Sequence, residues 1–416
     1  MTDLLSRALR VIPSGVLTFS KARSCWPAAA PTHIRRGKGA HVWAADGREF
    51  IDVTLALGAV TLGYQNPDVE ASIDAQRAEG PLFSLEHPIT VEVAERLTSL
   101  FPCSQKDGQA KFFKTGSDAT TAAVRLARAH TGRDIILTSG YHGWDSWTAA
   151  NRAGVPSGEH EAVVPFVFGG NNAEAAAVIL EADTFDVGQL RAIRSYCDAT
   201  DTLLVFDEVL TGFRQGPGGH QFLCGVTPDI TTVSKALGNG YAIAAVIGPR
   251  DIMQTFEKVG VSGTFGGDTI GLAAARAVIA VSDQHDGGIY PYYKRLWDVG
   301  GKLREGFASA AREFGIDAEP EGYPPRWVAK FGGDVDVDPI IRDRPARLPW
   351  RTLWAQEMQS RGVLANFGMT ACVAHGDSDV ERILGADREA FRVLASVDRP
   401  EERLIGDAAS PGVRAA

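Results

Sequence analysis

Two short segments of this 416-residue chain carry residues whose types and spacing suggest chemistry. The apolar residues 203–206 end in Asp207 and Glu208, and an apolar run of this length bounded by turn signals predicts a buried strand. A second predicted strand, residues 231–235, ends in Lys235. Ligands of open α/β sheets bind beyond the carboxyl ends of the strands. A lysine and a carboxylate placed there suit pyridoxal phosphate (PLP), because the lysine can form a Schiff base and the carboxylate can keep the pyridine nitrogen protonated.

Two other interpretations of these segments are open. A lysine after a strand is most often a solvated surface residue. An acidic pair after an apolar strand also resembles the magnesium-binding strand of a P-loop ATPase, which requires a G-x-x-x-x-G-K-[ST] loop. The two Gly-Lys pairs of the chain, at Lys38 and Lys302, are followed by Gly39 and Leu303. The ATPase interpretation is therefore disfavoured, because the loop that would hold the phosphates is missing.

The turn formed by Thr115, Gly116 and Ser117 precedes a predicted helix over residues 119–130. Free backbone N–H groups at a helix N-terminus, together with hydroxyls and a glycine, suit a phosphate group. An ordinary Ser or Thr N-cap gives the same pattern, and this turn alone favours the capping interpretation. Asp118 suits the helix dipole without any ligand.

Aromatic residues lie between glycines in the segment 140–144, which reads Gly-Tyr-His-Gly-Trp and follows a predicted strand. An aromatic ring there can stack on a flat cofactor, although a surface loop with one buried aromatic explains the pattern equally well. The hydroxyl-bearing loop 262–267, which contains Thr264, is a weak signal alone. The order along the chain is more specific than any single part: phosphate turn, aromatic residue, acid, lysine and second hydroxyl loop.

Composition argues against several classes of function. The chain has 42 basic and 51 acidic residues and a net charge of −9. An acidic protein without a basic stripe is a poor nucleic-acid binder. The longest apolar runs are too short to span a membrane, and the first 15 residues lack a signal-peptide pattern, so we expect neither a membrane span nor an export signal. Five scattered cysteines predict neither a disulfide framework nor a metal site, and they favour a reducing, cytoplasmic location.

Short strands alternate with helices after about residue 110, which predicts an α/β fold with a large, mainly parallel sheet and helices on both faces. A change of pattern after about residue 285 predicts a smaller α+β domain. We expect four parts: an N-terminal segment that packs with the small domain (1–50), a large cofactor-binding domain (51–285), a small C-terminal domain (286–399) and a flexible tail (400–416).

Two local predictions accompany this division. The Asp46-Gly47 dipeptide predicts a hairpin between strands at 41–44 and 49–53. Residues 173–180 are predicted to begin as a helix and to end as a strand.

Six segments together resemble a known family: residues 113–119, 141–143, 206–214, 225–229, 234–240 and 263–265. The chain resembles the class III aminotransferases, which are PLP enzymes of fold type I, and within them the glutamate-1-semialdehyde aminomutase-like branch. The resemblance covers roughly residues 5–395, and the motif FDEVLTGFR followed by Lys235 is highly specific.

The resemblance implies a role for each matching residue around the cofactor ring. Lys235 would form the Schiff base and move the proton, and Asp207 would pair with the pyridine nitrogen. Val209 would pack on one face of the ring and Tyr141 on the other, with His142 beside Tyr141 in the cofactor site. Catalysis would then depend on Lys235, Asp207 and Tyr141.

The resemblance also implies how the phosphate is held. Gly116 and Ser117, with Thr115, would bind the phosphate in their own subunit. Thr264 would reach the phosphate bound in the other subunit, because members of this family are homodimers with shared active sites.

Some positions depart from the family pattern. The aminomutases carry an arginine for the substrate carboxylate in a loop that residues 15–21 resemble, and here Lys21 or Arg23 could serve. Trp144, together with Trp26 and Trp147, could border a pocket for an apolar or ring-bearing substrate, although plain packing explains these residues equally well.

Two further departures bear on the reaction. The segment between residues 178–181 and Asp207 looks shortened, so no group is assigned to the phenolic oxygen of the cofactor. Residues 366–368 lack the acidic residue expected of a semialdehyde mutase. We therefore expect an aminotransferase that uses a small-molecule amino donor and a carbonyl acceptor. An aminomutase or another PLP isomerase is the alternative, and a non-enzymatic protein that keeps the fold is disfavoured because Lys235 and Asp207 are intact.

Overall fold

A computed structural model describes residues 4–148, 153–170, 174–332 and 348–409 of the chain. The described residues form two compact units. The small unit contains the chain up to Leu57, residues 61–65 and the chain from Arg295 onward; the large unit contains residues 58–60 and 66–294.

The helices have the following bounds: α1 Leu4–Val11, α2 Leu55–Gly58, α3 Pro67–Glu79, α4 Pro88–Leu100, α5 Gly116–Thr131, α6 Ser157–Glu161, α7 Val187–Thr200, α8 His220–Cys224, α9 Arg250–Met253, α10 Thr269–Ser282, α11 Pro291–Glu313, α12 Leu348–Ser360 and α13 Asp377–Leu394. The φ angles of Leu55, Ala56 and Leu57 lie between 50° and 60°, so α2 is one left-handed turn. None of the described helices is both long enough and apolar enough to cross a lipid bilayer.

The strands have the following bounds: β1 Ile34–Lys38, β2 His41–Ala44, β3 Glu49–Asp52, β4 Gly108–Phe113, β5 Ile135–Ser139, β6 Val163–Pro165, β7 Ala175–Leu180, β8 Leu203–Glu208, β9 Ile230–Val233, β10 Ala244–Pro249, β11 Ala318–Tyr323, β12 Arg326–Phe331, β13 Val363–Leu364 and β14 Gly368–Thr370.

The large unit is built on one seven-stranded sheet with the order β4-β10-β9-β8-β7-β5-β6. The pairs from β9 to β6 are parallel, and only β10 runs antiparallel to its neighbours β9 and β4. The predicted α/β fold with a mainly parallel sheet is therefore confirmed.

Alternating side chains of the central strands enter two separate cores, as expected of a sheet covered on both faces. On β8, Val205 belongs to the core that contains α5, whereas Leu204 and Phe206 belong to the core that contains α7. All three side chains are fully buried. Because β8 is buried on both faces, its sequence is a continuous apolar run, and this run made the strand recognisable.

The prediction that residues 173–180 begin as a helix is wrong for the described part of this segment. Residues 171–173 lie outside the described residues, and Ala175–Leu180 is strand β7 throughout. Ala175, Ala176 and Ala177 are fully buried between β5 and β8. Alanine has a high intrinsic helix propensity, but here the packing of helices close to both faces of the strand overrides it.

The small unit contains a four-stranded sheet, β1-β2-β3-β13, and a three-stranded sheet, β11-β12-β14. The predicted hairpin is confirmed, since β2 and β3 pair antiparallel with His41 opposite Ile51. Strand β11 was not predicted. Its sequence AEPEGY contains a proline and two glutamates, and it forms an edge strand that pairs with β12 alone.

Three residues of the predicted flexible tail, Arg403, Ile405 and Ala409, form hydrogen bonds to α12. Gln356 Nε2 donates to Arg403 O at 3.2 Å, and the backbone N–H of Ala409 donates to Thr352 Oγ1 at 2.9 Å. Ala409 is buried. Residues 410–416 lie outside the described part, and the flexible tail stays a prediction.

Candidate active site

The carboxyl ends of three neighbouring strands bring the predicted acid and lysine together. Asp207 lies opposite Thr232 in the parallel pairing of β8 with β9, and Lys235 follows shortly after the end of β9. On the other side of β8, strand β7 is followed directly by Glu181. Because parallel strands end at the same edge of a sheet, these three side chains surround one site.

A pocket of about 200 Å³ lies at this edge, within the large unit. Most of the residues predicted to bind the cofactor line it: Gly116, Ser117, Tyr141, His142, Asp207, Val209 and Lys235. It is also lined by residues that were not predicted to bind the cofactor: Thr120, Gly143, Glu181, Leu210 and Ser234.

Asp207 is buried at 5% exposure and accepts hydrogen bonds on both oxygens. Its Oδ1 accepts the backbone N–H of Val209 at 3.0 Å and a longer contact of 3.4 Å from Thr232 Oγ1. Its Oδ2 lies 2.8 Å from His142 Nδ1. A buried carboxylate held by several donors in this way presents a fixed negative charge to a ligand.

Both ring nitrogens of His142 face oxygen atoms. Its Nε2 lies 3.1 Å from Ser139 O, and its Nδ1 lies 2.8 Å from Asp207 Oδ2. The imidazole therefore joins the end of β5 to the carboxylate that faces the pocket.

Thr120 and Trp147 also hold His142 in place. Thr120 Oγ1 on α5 donates to its backbone carbonyl at 2.6 Å. The Trp147 ring stacks on the imidazole with a centroid distance of 6.2 Å and an interplanar angle of 8°. Trp147 is buried in the core of the large unit and donates from Nε1 to Thr121 Oγ1. It packs against His142 and does not line the pocket.

Lys235 lines the pocket from a strained backbone position. Its φ of 42° lies in the left-handed region, which residues other than glycine rarely adopt and which costs roughly 1–3 kcal/mol. The preceding residue is held by a hydrogen bond of 2.9 Å from Ser234 Oγ to Ile243 O. Strain of this kind persists where the surrounding structure determines the conformation, and it concentrates at functional sites.

The start of α5 carries a capping box, and its backbone lies close to Val209. Thr115 Oγ1 accepts the Asp118 N–H at 3.1 Å, and Asp118 Oδ2 accepts the Thr115 N–H at 2.9 Å, which forms a capping box. A Cβ on Gly116 would lie 2.7 Å from Val209 Cγ1, so only glycine lets Val209 pack there. The backbone N–H groups of Gly116 and Ser117 are among the first of the helix and point away from its hydrogen-bond ladder.

The second acid of the motif, Glu208, forms hydrogen bonds to the loop that follows β8 and to α8. It is fully buried and accepts hydrogen bonds from Thr211 Oγ1 at 2.6 Å and from the backbone N–H groups of His220 at 2.6 Å and Gln221 at 3.1 Å. Burial raises the pKa of Glu208 to about 7, and these donors oppose the rise. Glu208 therefore fastens the end of β8 to α8, and Asp207 is left to face the pocket.

Several predicted residues do not line this pocket. Thr115 uses its side chain in the capping box, Thr264 is exposed, and Trp144 is 76% exposed. Lys21 is exposed and belongs to the small unit. Arg23, also in the small unit, donates from its two terminal nitrogens to the backbone carbonyls of residues 30 and 28. The role of each of these residues stays a prediction.

Comparison with known proteins places this chain in a family. The family model for class III aminotransferases matches residues 26–167 and 171–288. A glutamate-1-semialdehyde 2,1-aminomutase of Halorubrum lacusprofundi is 33% identical, over 93% of this chain and 98% of that protein. A 3-aminobutyryl-CoA aminotransferase of Cloacimonas acidaminovorans is 33% identical, over 76% of this chain and 77% of that protein. The solved FumI protein of Sphingopyxis sp. MTA144, in its PLP internal aldimine form, is 28% identical with a TM-score of 0.86, over 98% of both chains.

The fold and the relatives define a PLP-dependent enzyme of fold type I. Within that class, the chain belongs to the class III aminotransferase family.

The described residues fit the cofactor of this family. The pocket offers a buried carboxylate for a pyridine nitrogen, a lysine for covalent attachment, and a helix start with two N–H groups for a phosphate. A Cβ on Gly143 would lie 2.4 Å from Ser117 Oγ, so the backbone of the aromatic turn also approaches the helix start closely. These groups surround a single pocket, as one ring and its phosphate require.

Proposed function

We propose that this enzyme is an aminotransferase that moves an amino group from a small-molecule donor to a carbonyl acceptor. One observation carries the proposal: Asp207 and Lys235 leave adjacent strands and line one pocket together with the start of α5. When bound, PLP supplies an electron sink for the bonds at the α-carbon of the donor.

The predicted site residues would have different roles around that cofactor. Lys235 would hold it covalently and, once displaced by the donor, would move the proton between substrate and cofactor. Asp207, supported by His142, would hold the proton on the ring nitrogen. Val209 and Tyr141 would fix the plane of the ring, which determines which bond of the substrate is broken.

The phosphate and the second subunit complete the proposal. Gly116 and Ser117 would bind the phosphate through the start of α5, with Thr115 maintaining the helix cap. Thr264 is exposed on the loop that leads into α10. We propose that it contacts the phosphate bound in a partner subunit, so that the active form is a homodimer. A cytoplasmic location is supported by the five cysteines, which are all buried and free of disulfides within the described residues.

An aminomutase is the second candidate, since several relatives carry the name glutamate-1-semialdehyde 2,1-aminomutase. An aminomutase returns the amino group to the same substrate, so it needs no second carbonyl compound. Two observations favour the aminotransferase. Residues 366–368 lack the expected acid, and Arg23 is already engaged with two backbone carbonyls.

The test is the visible spectrum of the purified protein with PLP, recorded before and after single amino donors are added. We expect a yellow band that the Lys235→Ala variant lacks and that one donor converts to the spectrum of the amine form of the cofactor. Lys258→Ala, which changes an exposed lysine, serves as the control and should keep the band.

Two other results would contradict the proposal. A band that no donor converts, with product formed from a single substrate, would identify an aminomutase. No band in the presence of PLP would refute the assignment of Lys235.

A further inference from the structure

Glu181 is a carboxylate in the pocket to which no role has been assigned. It follows β7 directly and lines the pocket between the aromatic turn and Asp207. The side chain is half-buried. Glu181 is not among the residues proposed to contact the cofactor. Its own contacts therefore have to explain why a second acid lies in the pocket.

The side chain of Glu181 makes one hydrogen bond to the described part of the chain. Its Oε2 accepts the backbone N–H of Tyr141 at 3.3 Å. This bond joins the end of β7 to the turn that follows β5, so it links two neighbouring strands just beyond the edge of the sheet. The residue it holds is the one that is proposed to cover a face of the cofactor ring.

The backbone at Gly140 also lies close to the Glu181 side chain. Gly140 has a φ of 107°, and a Cβ at this position would lie 2.8 Å from Glu181 Oε2 and 2.9 Å from its Cγ. Glycine is therefore needed both for the backbone angle and for the close approach. The carboxylate fills the space that the missing side chain leaves.

The backbone of the turn is held on both sides of Tyr141. The residue is 39% exposed, whereas the next residue, His142, is buried and bonded at both ring nitrogens. On the His142 side, the turn is anchored by Thr120 Oγ1, which donates to His142 O at 2.6 Å. On the Tyr141 side, the backbone N–H donates to Glu181 Oε2 at 3.3 Å.

We propose that Glu181 is a positioning residue that sets the angle at which Tyr141 meets the cofactor ring. The inference rests on the proposed function, because it assumes that PLP occupies this pocket with Tyr141 on one face. Glu181 acts through the Tyr141 N–H. A glutamine in its place can still accept that hydrogen bond, whereas an alanine cannot.

The experiment compares Glu181→Ala, Glu181→Gln and wild type as full-length protein. PLP affinity is measured by fluorescence titration, the orientation of the ring by visible circular dichroism of the bound cofactor, and the freedom of the turn by hydrogen exchange of the Tyr141 amide. Asp186→Ala is the matched control. It removes a nearby carboxylate that caps α7 through the Gln189 N–H and does not line the pocket.

We expect Glu181→Ala to weaken PLP binding by about tenfold, to alter the dichroism of the bound cofactor and to speed exchange of the Tyr141 amide. Glu181→Gln should stay within about twofold of wild type in all three measurements. Asp186→Ala should lower the melting temperature and leave PLP affinity unchanged.

The outcomes separate this inference from the proposed function. If Glu181→Ala binds PLP with the affinity and dichroism of wild type, Glu181 does not position the ring and the inference is wrong. If Glu181→Ala only lowers the melting temperature, as Asp186→Ala does, the role is structural and the inference is also wrong. If wild type itself binds no PLP, the proposed function fails first.

Discussion

His142 and Asp207 form the most constrained contact of the candidate site. Both ring nitrogens of His142 face oxygen acceptors, and the residue is buried at 2% exposure. A hydrogen bond to a carboxylate is charge-assisted and contributes roughly twice as much as a neutral one. His142 therefore supports the charge that Asp207 would offer to the ring nitrogen.

We expect His142→Phe to weaken PLP binding and to slow amino transfer, each by about 10–100-fold, because one charge-assisted hydrogen bond contributes about 1.5–3 kcal/mol. The phenyl ring keeps the stacking on Trp147 and removes only the nitrogens. PLP titration and single-turnover rates measure the effect. Trp147→Phe is the control, since it keeps a stacked ring and loses only the bond to Thr121. Wild-type affinity and rate in His142→Phe would show that Asp207 needs no support.

Asp387 in the small unit gives a prediction about pH. Burial raises the pKa of its carboxyl to about 7, and the hydrogen bond of 2.6 Å from Trp354 Nε1 opposes the rise. The folded protein therefore binds this proton more tightly than the unfolded chain does. The resulting stabilisation is complete at a pH below about 4 and is lost as the pH rises through 7.

We expect Asp387→Asn to raise the free energy of unfolding on the order of 2 kcal/mol at pH 8, with a smaller gain at pH 5. The neutral amide carries no charge to bury and still accepts the Trp354 N–H. Thermal unfolding between pH 5 and pH 8 measures this difference. Glu381→Gln on the exposed side of the same helix should leave the pH dependence unchanged. An equal effect of Asp387→Asn at both pH values would show that the carboxyl does not titrate in this range.

At the scale of elements, the site depends on how closely the start of α5 approaches the segment after β8. Gly116 lies against Val209, and this contact leaves no room for a Cβ. Because the same backbone would bind the phosphate, the distance between these two elements sets the width of the pocket. Positions 116 and 209, which lie on different elements, therefore have to be considered together.

We expect Gly116→Ala to weaken PLP binding by about tenfold or more, since overpacking typically costs about 1–3 kcal/mol. Val209→Ala in the same chain should restore part of the loss, because it removes the two methyl groups that the new Cβ meets. A double-mutant cycle of PLP affinities measures the coupling. Gly301→Ala inside α11 is the control, since nothing lies within 4 Å of its added Cβ and it should be neutral or stabilising. Simple additivity of Gly116→Ala and Val209→Ala would contradict the contact.

At the scale of the whole molecule, the proposed homodimer predicts complementation between two defective chains. Lys235→Ala removes the covalent attachment, and Thr264→Ala removes the contact that we assign to the partner's phosphate. If Thr264 acts across the dimer, a mixed dimer contains one site with both residues intact.

We expect Thr264→Ala alone to lose activity at limiting PLP. When the two variants are refolded together in equal amounts, about one quarter of all sites should be native, because half the dimers are mixed and each has one intact site. Activity at limiting PLP, compared with the two variants mixed without refolding, measures the recovery. The absence of recovery, in a preparation shown to contain mixed dimers, would place Thr264 in its own subunit's site or outside any site.

Part of this molecule could be predicted from short stretches of sequence. The strand that ends in Asp207 was recognisable because it is buried on both faces and therefore apolar throughout. Lys235 was recognisable because it follows another short strand and belongs to a specific motif. The hairpin of β2 and β3 followed from the Asp46-Gly47 turn, whose backbone preference acts over two residues. In each case the physical cause lies within a few neighbouring residues.

Other features depend on residues that are distant in sequence. Ala175–Leu180 became a strand because it lies between β5 and β8, against its helical propensity. Arg403, Ile405 and Ala409 form hydrogen bonds to α12 that no local sequence pattern predicts. Glu181 belongs to the pocket because β7 neighbours β8, although 26 positions separate it from Asp207 along the chain.

The sequence by itself determined the family, the cofactor and the residue types available for the chemistry. The tertiary structure decided which of these residues share a pocket. The family resemblance assigned Asp207 and not Glu208 to the ring, and the fold supplies the physical reason, because successive side chains of a strand point to opposite faces. The fold therefore buries Glu208 among the donors of the loop and α8 and leaves Asp207 with His142 in the pocket, because strand order and register exist only once the sheet has formed.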